Sequence, residues 1–397
     1  MSKKLRLQDV DVNGKKVLMR VDFNVPLTVE RKVADETRIR AALPSIRYVL
    51  DRGGSLILMS HLGRPKKEDP AYSLAPCAEV LGSLLGTRVT MAKDTIGPSA
   101  KEAVHALKPG EVLMLENVRF SPAEEKPEQD VSYAKTLASF GDIYVNDAFG
   151  TAHRAHSSTA VVAHYFPGRA AAGLLMQKEL EVLGALLTSP QRPFMAIIGG
   201  AKVSSKLGTL SALLRKVDQL LIGGAMASTF LKAEGKEIGD SFYESAQLSA
   251  ARALFDEATT PITLPIDLVI ANAIEAGAKK RVVDIQEGVP KGWRCVDIGP
   301  KTLKEWGEQM KRAKTIFWNG PVGIFEIPDF AQGTQQLAKM ISELSAITVV
   351  GGGDSVAAVQ ELHLLDRYTH VSTGGGATLE YIEKGELPGI EALSDAV

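Results

Sequence analysis

Short apolar runs in this chain repeatedly end in glycine, serine, asparagine or aspartate, and helical periodicity begins after them. That alternation is the mark of βαβ units laid on a parallel sheet. It occurs in two series. The first has strand candidates at Lys16 to Val21, Ser55 to Met59, Glu111 to Leu115 and Asp142 to Val145. The second has them at Phe194 to Ile198, Gln219 to Ile222, Asp267 to Ala271, Thr315 to Trp318, Ile347 to Val350 and His370 to Ser372.

Between the series Met176, Leu180, Leu183 and Leu187 recur at spacings of three and four, and the step Thr188-Ser189-Pro190-Gln191-Arg192-Pro193 follows. A helix and a proline-rich step therefore join two domains. A chain of 397 residues also suits two domains better than one core. The fold expected is α/β: two Rossmann-like domains, each a mostly parallel sheet flanked by helices, joined by a helix hinge. Their bounds are 1–173 and 190–378, with 174–189 as the connecting helix.

With 46 basic and 47 acidic side chains the formal net charge is −1, which removes the general attraction of a basic protein to nucleic acid or anionic lipid. Any anion bound must meet a local site. Cys77 and Cys295 are too few for a disulfide framework or a thiolate zinc site. Met1-Ser2-Lys3-Lys4-Leu5-Arg6 opens without the apolar core of a signal peptide, and no later apolar run approaches a membrane span. The expectation is a cytoplasmic protein with no nucleic-acid or membrane partner.

Ligands of open α/β sheets bind beyond the carboxyl ends of the strands. In the first series those ends carry Arg20-Val21-Asp22-Phe23-Asn24, Ser60-His61-Leu62-Gly63-Arg64-Pro65, Glu116-Asn117-Val118-Arg119-Phe120 and Thr151-Ala152-His153-Arg154-Ala155-His156. One such arginine is ordinarily a surface charge. Four in equivalent positions imply a small polyanion, because guanidinium forks match phosphate and carboxylate. His153 and His156 have a spacing open to metal, but no third ligand is near and an arginine lies between them. Structural hydrogen bonding is the commoner role.

In the second series the ends carry glycines: Gly199-Gly200-Ala201-Lys202 through Lys206, Gly223-Gly224, Asn319-Gly320-Pro321-Val322-Gly323, Gly351-Gly352-Gly353-Asp354-Ser355 and Thr373-Gly374-Gly375-Gly376. A single pair is readily explained by a tight turn or close helix packing. Five recurrences point to backbone N–H groups and helix N-termini that cradle phosphates. The Walker A, protein-kinase and dinucleotide glycine patterns are all absent. Lys202 and Lys206, four apart, are expected on one helical face with an anion between them. Asp354 is either a helix N-cap or a magnesium ligand.

The strings RVDFNVP, SHLGRP, LENVRF, GTAHRAHSS, GGAKVSSK, NGPVGIFE, GGGDS and STGGGA occur in that order and resemble the signature series of the phosphoglycerate kinases over essentially the whole chain. The resemblance implies 3-phosphoglycerate or 1,3-bisphosphoglycerate on the first domain and ADP or ATP, with Mg2+, on the second. Asp22, Phe23, Asn24, Arg38, His61, Leu62, Gly63, Arg64, Arg119 and Arg154 would bind the acid. Lys202, Gly223, Gly224, Asn319, Glu326, Gly352, Gly353, Asp354 and Ser355 would bind nucleotide, with Asp354 on the metal. Arg38, Lys202, Lys206 and the amides of Gly374, Gly375 and Gly376 would surround the transferring phosphoryl. The resemblance also implies that the tail, 379–397, returns to the first domain, and that the enzyme is a glycolytic monomer. The segment Thr28 to Asp35 departs from the family's short glycine-containing turn.

The attacking carboxylate is already ionised at neutral pH, so direct in-line transfer across a closing interdomain cleft needs no general base. A phosphoenzyme on His61, Ser204 or Ser205 ranks below it, since no base is visibly paired with any of them. A regulator that binds both ligands without turnover, and a kinase for another phosphorylated acid, are the competing readings.

Overall fold

Val17, Leu18 and Met19 are fully buried because β1 (Lys16–Arg20) runs through the middle of a sheet covered on both faces. The computed structural model describes residues 3–396. The chain divides into two compact units, one running to Val182 and regaining the chain from Glu386, the other spanning Leu183 to Gly385.

In the first unit β1 is joined by β2 (Ser55–Met59), β3 (Val89–Met91), β4 (Val112–Met114), β5 (Ile143–Asn146) and β6 (Ala170–Ala172). The sheet order is β3-β4-β2-β1-β5-β6 and every pairing is parallel. Strand order reverses at β1, which has β2 on one side and β5 on the other, so a ligand crevice is expected beyond Arg20. Val17, Met19, Leu56 and Leu58 pack against Ile39, Ile46 and Val49 of the helix Thr37–Leu50.

In the second unit β7 (Phe194–Ile198), β8 (Gln219–Ile222) and β9 (Ile262–Thr263) are followed by β10 (Asp267–Ala271), β11 (Lys280–Asp284) and β12 (Arg294–Ile298). Three more strands complete it: β13 (Thr315–Asn319), β14 (Ile347–Gly351) and β15 (His370–Val371). The main sheet, β15-β14-β13-β7-β8-β9, is again parallel and reverses at β7.

The run Asp267 to Ala271, expected on that parallel sheet, instead centres a separate antiparallel sheet, β11-β10-β12. Its own small core joins Leu268, Ile270 and Val283 to Leu231 and Ile238. An apolar strand buried on both faces reads the same in either setting. β3, β6 and β9, of two or three residues, are edge additions that the sequence pattern does not mark out.

The connecting helix is Leu174–Thr188, and the division between units falls inside it. Its buried stripe is Met176, Glu179, Leu183 and Leu186, so Leu180 and Leu187 of the expected stripe are half-buried instead. Asp147 accepts from Leu175 N and Met176 N at its start. The second unit continues past 378 to Gly385 because the helix Gly376–Lys384 packs on Leu207–Leu214. From Glu386 the chain bonds to the first unit, with Leu5 N on Ser394 O at 2.8 Å and Asn146 Nδ2 on Gly389 O at 3.1 Å.

Candidate active site

The carboxyl ends of β1, β2, β4 and β5 gather the expected residues of the first unit. Asn24 Oδ1 accepts from Gly63 N at 2.8 Å, and Arg119 Nη1 donates to Gly63 O at 2.5 Å. The buried Asn117 donates to Leu62 O at 2.8 Å and Tyr72 O at 2.9 Å, so three side chains hold the loop after β2. Arg38, in the first turn of its helix, pairs with Asp22. A cation there opposes the helix dipole, and Asp22 supplies the compensating charge. Arg119 and Arg154 share Glu125, at 3.2 and 3.9 Å. Arg64 stands exposed on the loop after β2.

Three expectations change. Phe23 and Leu62 are core residues whose backbone is bonded inside the protein: Phe23 N donates to Ser60 Oγ at 2.8 Å and Leu62 O accepts from Asn117. Arg20, counted among the anion-binding arginines, is 1% exposed and spends its donors inside the protein. His61 is buried, and that burial together with Arg20, Arg119, Arg154 and Arg38 holds its pKa well below the usual histidine range. In the glycine-free turn after Thr28 it is Arg31 that takes the left-handed conformation, with φ 61°. His153 donates no metal geometry with His156: Arg154 Nε bonds His153 Nε2 at 3.3 Å, and His156 lies 3.9 Å from Glu124.

The second unit sorts its glycines into two kinds. Gly199, Gly200, Gly223 and Gly224 give their N–H groups to Asn319 O, Pro321 O, Ile198 O and Val322 O. A Cβ on Gly224 would meet Gly200 N and O at 2.7 Å. These loops interlock, and their glycines serve close backbone packing, not phosphate. Gly353, Gly375 and Gly376 are different, for a Cβ there would meet nothing within 4 Å. They open the helices Gly353–Glu361 and Gly376–Lys384, whose first N–H groups have no partner within the helix. Gly352 and Gly375 cap these helices, and Gly374 N bonds Ser372 Oγ.

Lys206 Nζ donates to Gly199 O at 2.7 Å and to Asn319 Oδ1 at 2.9 Å. Burial, opposed by Asp354, lowers its pKa to about 8. Since Oδ1 of Asn319 accepts that bond, its Nδ2 is a donor; it is buried and has no acceptor among the described residues. The expected pairing of Lys202 with Lys206 on one helical face does not form. The helix begins only at Leu207, Lys206 is its cap, and Lys202 lies exposed in the turn before it. Asp354 is likewise not the N-cap, which is Gly352; it sits exposed in the first turn. Ser355 is buried and accepts from Gly320 N at 2.6 Å.

Beside these helices lies a hollow of about 180 Å³ lined by Gly200, Gly224, Val322, Ile324 and Asp297, with the exposed Glu326 at its edge. Asp297 was not singled out by sequence. It accepts from Ile298 N at 2.9 Å and Gly333 N at 2.6 Å, and burial pushes its pKa up to about 7. Among the described residues no cluster of three or more His, Cys, Asp or Glu side chains could hold a metal by itself. Asp354, a lone carboxylate beside open helix N-termini, fits magnesium carried in on phosphates, which takes one or two carboxylates and keeps its waters.

One parallel α/β unit whose strand ends gather arginines, and a second whose strand ends offer two open helix N-termini and a half-buried lysine, define a phosphotransferase. The family model for phosphoglycerate kinase matches residues 7–385. A phosphoglycerate kinase of Chloroflexus aurantiacus is 52% identical over the full length of both chains, and that of Pseudothermotoga lettingae is 49% identical over 99% of each. The solved phosphoglycerate kinases of Coxiella burnetii and Pyrococcus horikoshii superpose with TM-scores of 0.87 and 0.86 at 39% and 34% identity, each covering 98% of both chains. The chain belongs to the phosphoglycerate kinase family. That family carries out glycolytic phosphoryl transfer with a carboxyl group as acceptor, and binds nucleotide and phosphoglycerate. Among the described residues no helix is long and apolar enough to cross a membrane.

Proposed function

We propose that the arginine end of the first unit binds 3-phosphoglycerate or 1,3-bisphosphoglycerate, that the glycine end of the second binds magnesium ADP or ATP, and that the phosphoryl group passes directly between them. The observation that carries this reading is Asn319 Nδ2, a buried donor with no acceptor among the described residues, next to the ammonium of Lys206. A buried amide donor left unpaired costs about 1 to 3 kcal/mol, which a phosphate oxygen would recover.

On this reading Arg64, Arg119 and Arg154 hold the acid with Asn24 and His61, on the loop whose Gly63 is braced by Asn24 and Arg119. Asp22 keeps Arg38 oriented. The N-termini opened by Gly353 and Gly376 take the nucleotide phosphates, Glu326 the ribose, and the hollow lined by Gly224, with Gly223 behind it in the same loop, the base. Asp354 is the carboxylate that would hold magnesium on those phosphates, and the ion would there supply charge neutralisation. Arg38, Lys202, Lys206 and the amides of Gly375 and Gly376 stabilise the equatorial oxygens of the moving group, Gly374 N being already given to Ser372 Oγ. The acid's carboxylate needs no base, and the two ligands must approach within about 3 to 3.5 Å to react.

Ser204, the alternative nucleophile, does have a carboxylate neighbour, since its Oγ donates to Glu244 at 2.5 Å. Burial raises the Glu244 pKa, but its bonds from Ser204 outweigh this and hold it below the usual range, which makes it a poor base. A cytoplasmic monomer is the setting proposed, in keeping with glycolytic substrates. The test is calorimetry with each ligand alone. Asn319→Ala should weaken MgADP about 10- to 100-fold and spare 3-phosphoglycerate, and Arg154→Met should do the reverse, each losing a charge-assisted bond of about 1.5 to 3 kcal/mol. Equal losses of both ligands in either variant would refute the division of sites.

A further inference from the structure

Arg20 closes β1 with a guanidinium that is 1% exposed. Its Nε donates to Ser158 Oγ at 2.8 Å, its Nη1 bonds the Val21 carbonyl, and its Nη2 lies 3.2 Å from Nδ1 of His61. Ser158 passes the contact on: its hydroxyl donates to Glu124 Oε1 at 2.6 Å and its N–H to Oε2 at 2.9 Å. Glu124 is completely buried. A buried cation thus meets its counter-charge through one hydroxyl, and presents its remaining face to a histidine.

A guanidinium has donors and no acceptor, and does not lose its proton in proteins. The ring nitrogen that faces it must therefore offer a lone pair. For His61 that nitrogen is Nδ1, so the ring proton belongs on Nε2. The doubly protonated ring would turn an N–H against the N–H of Arg20. It would also add a cation to a neighbourhood that already contains Arg20, Arg38, Arg119 and Arg154.

We propose that Arg20, backed by Ser158 and Glu124, is a positioning residue that fixes His61 as the neutral Nε2–H tautomer, so that the ring serves the acid site as a hydrogen-bond donor and not as a cation. The proposal rests on reading this end of the first unit as the acid site. Binding of the acid is then left to the arginines for charge and to His61 for direction. The Nδ1–H form would set donor against donor and lose the Arg20 bond.

The test is a long-range proton–nitrogen correlation spectrum of the full-length protein labelled at histidine nitrogen, with His61 assigned by the signals that vanish in His61→Gln. The expected spectrum has a protonated Nε2 and an unprotonated Nδ1, unchanged between about pH 5 and 8, the range in which an ordinary histidine titrates. A proton on Nδ1, or conversion to the doubly protonated ring within that range, overturns the proposal. In Arg20→Met the His61 signals should shift to a mixture of tautomers or begin to titrate, and KM for 3-phosphoglycerate should gain a pH dependence absent from the parent. A folded Arg20→Met protein with unchanged His61 signals also overturns it. If that variant does not fold, the spectrum of the parent still decides. Because the spectrum is taken without ligand, a failure of 3-phosphoglycerate to bind in calorimetry would count against the site reading alone.

Discussion

Adding nucleotide to the free protein at about pH 8 should draw protons out of the buffer, and Lys206 is the group that takes them up. Its ammonium sits among Gly199 O and Asn319 Oδ1, and burial lowers its pKa from 10.5 to about 8. At that pH about half of the molecules hold a neutral amine. A phosphate placed against it favours the charged form and returns the pKa toward the ordinary range, so uptake is about 0.5 proton per site near pH 8 and about 0.03 near pH 6.5. Titration calorimetry in two buffers of different ionisation heat reads the number directly. Lys206→Met should abolish the buffer dependence. No uptake near pH 8, or the same uptake in the variant, would refute the reasoning. The sign carries over to stability. A lysine whose pKa is depressed on folding binds its proton less tightly than in the unfolded chain. Its penalty, of about 3 kcal/mol, is in full force below about pH 8 and is relieved as pH rises toward 10.5. Lys206→Met should therefore resist urea better than the parent near pH 7, less what the two stranded acceptors take back, even though turnover is lost.

Arg38→Ala should lower kcat by about 10³-fold while nucleotide affinity in calorimetry stays near the parent value, because its proposed partner is the moving phosphoryl. Near-normal turnover would leave Arg38 as nothing more than the partner of Asp22. The two kinds of glycine should separate in one experiment. Gly224→Ala, with φ 68° and backbone at 2.7 Å, should cost about 3 kcal/mol of stability, whereas Gly353→Ala should leave the melting temperature unchanged and weaken MgADP. His363 holds φ 56° after the helix Gly353–Glu361, where its N–H bonds Gln360 O and the next bonds Val359 O. His363→Gly should therefore stabilise by about 1 kcal/mol, seen as a rise of about 2 to 4 °C in melting temperature.

The parallel sheets were legible because strands buried on both faces leave continuous apolar runs: Ser55–Met59, Phe194–Ile198 and Gln219–Ile222 were bounded from sequence as they stand in the structure. Strand direction leaves no such mark, so the run Asp267–Ala271 points to the parallel sheet although it lies in the antiparallel one. At the candidate site, topology brought the arginine loops into view, but not the fate of each side chain. Arg20 and Arg119 look alike in sequence, yet one is committed to Ser158 and His61 while the other braces Gly63. The glycines look like one class for the same reason, since φ and the distance to neighbouring backbone leave no trace in a string of letters. Asn117, Glu124, Ser158 and Asp297 went unnoticed because a buried polar residue has no periodicity. Its role lies in partners far off in the chain, as with Ser158 on Glu124 and Gly333 on Asp297. The departure of Thr28 to Asp35 from a glycine-containing turn is visible in the sequence, and the structure places Arg31 within it at φ 61°.

Direct transfer between ligands held by the two units is the central claim, and the stereochemistry at phosphorus tests it without recourse to any variant. ATP whose γ-phosphoryl is made chiral with sulfur and oxygen isotopes would be turned over with 3-phosphoglycerate, and the configuration of the transferred group determined. A single in-line displacement inverts it, which is the result expected if the carboxylate attacks phosphorus unaided while Arg38, Lys206 and the open amides hold the oxygens. Retention would mean two displacements and a phosphorylated side chain between them. Ser204, already bonded to Glu244, would then be the first residue to examine.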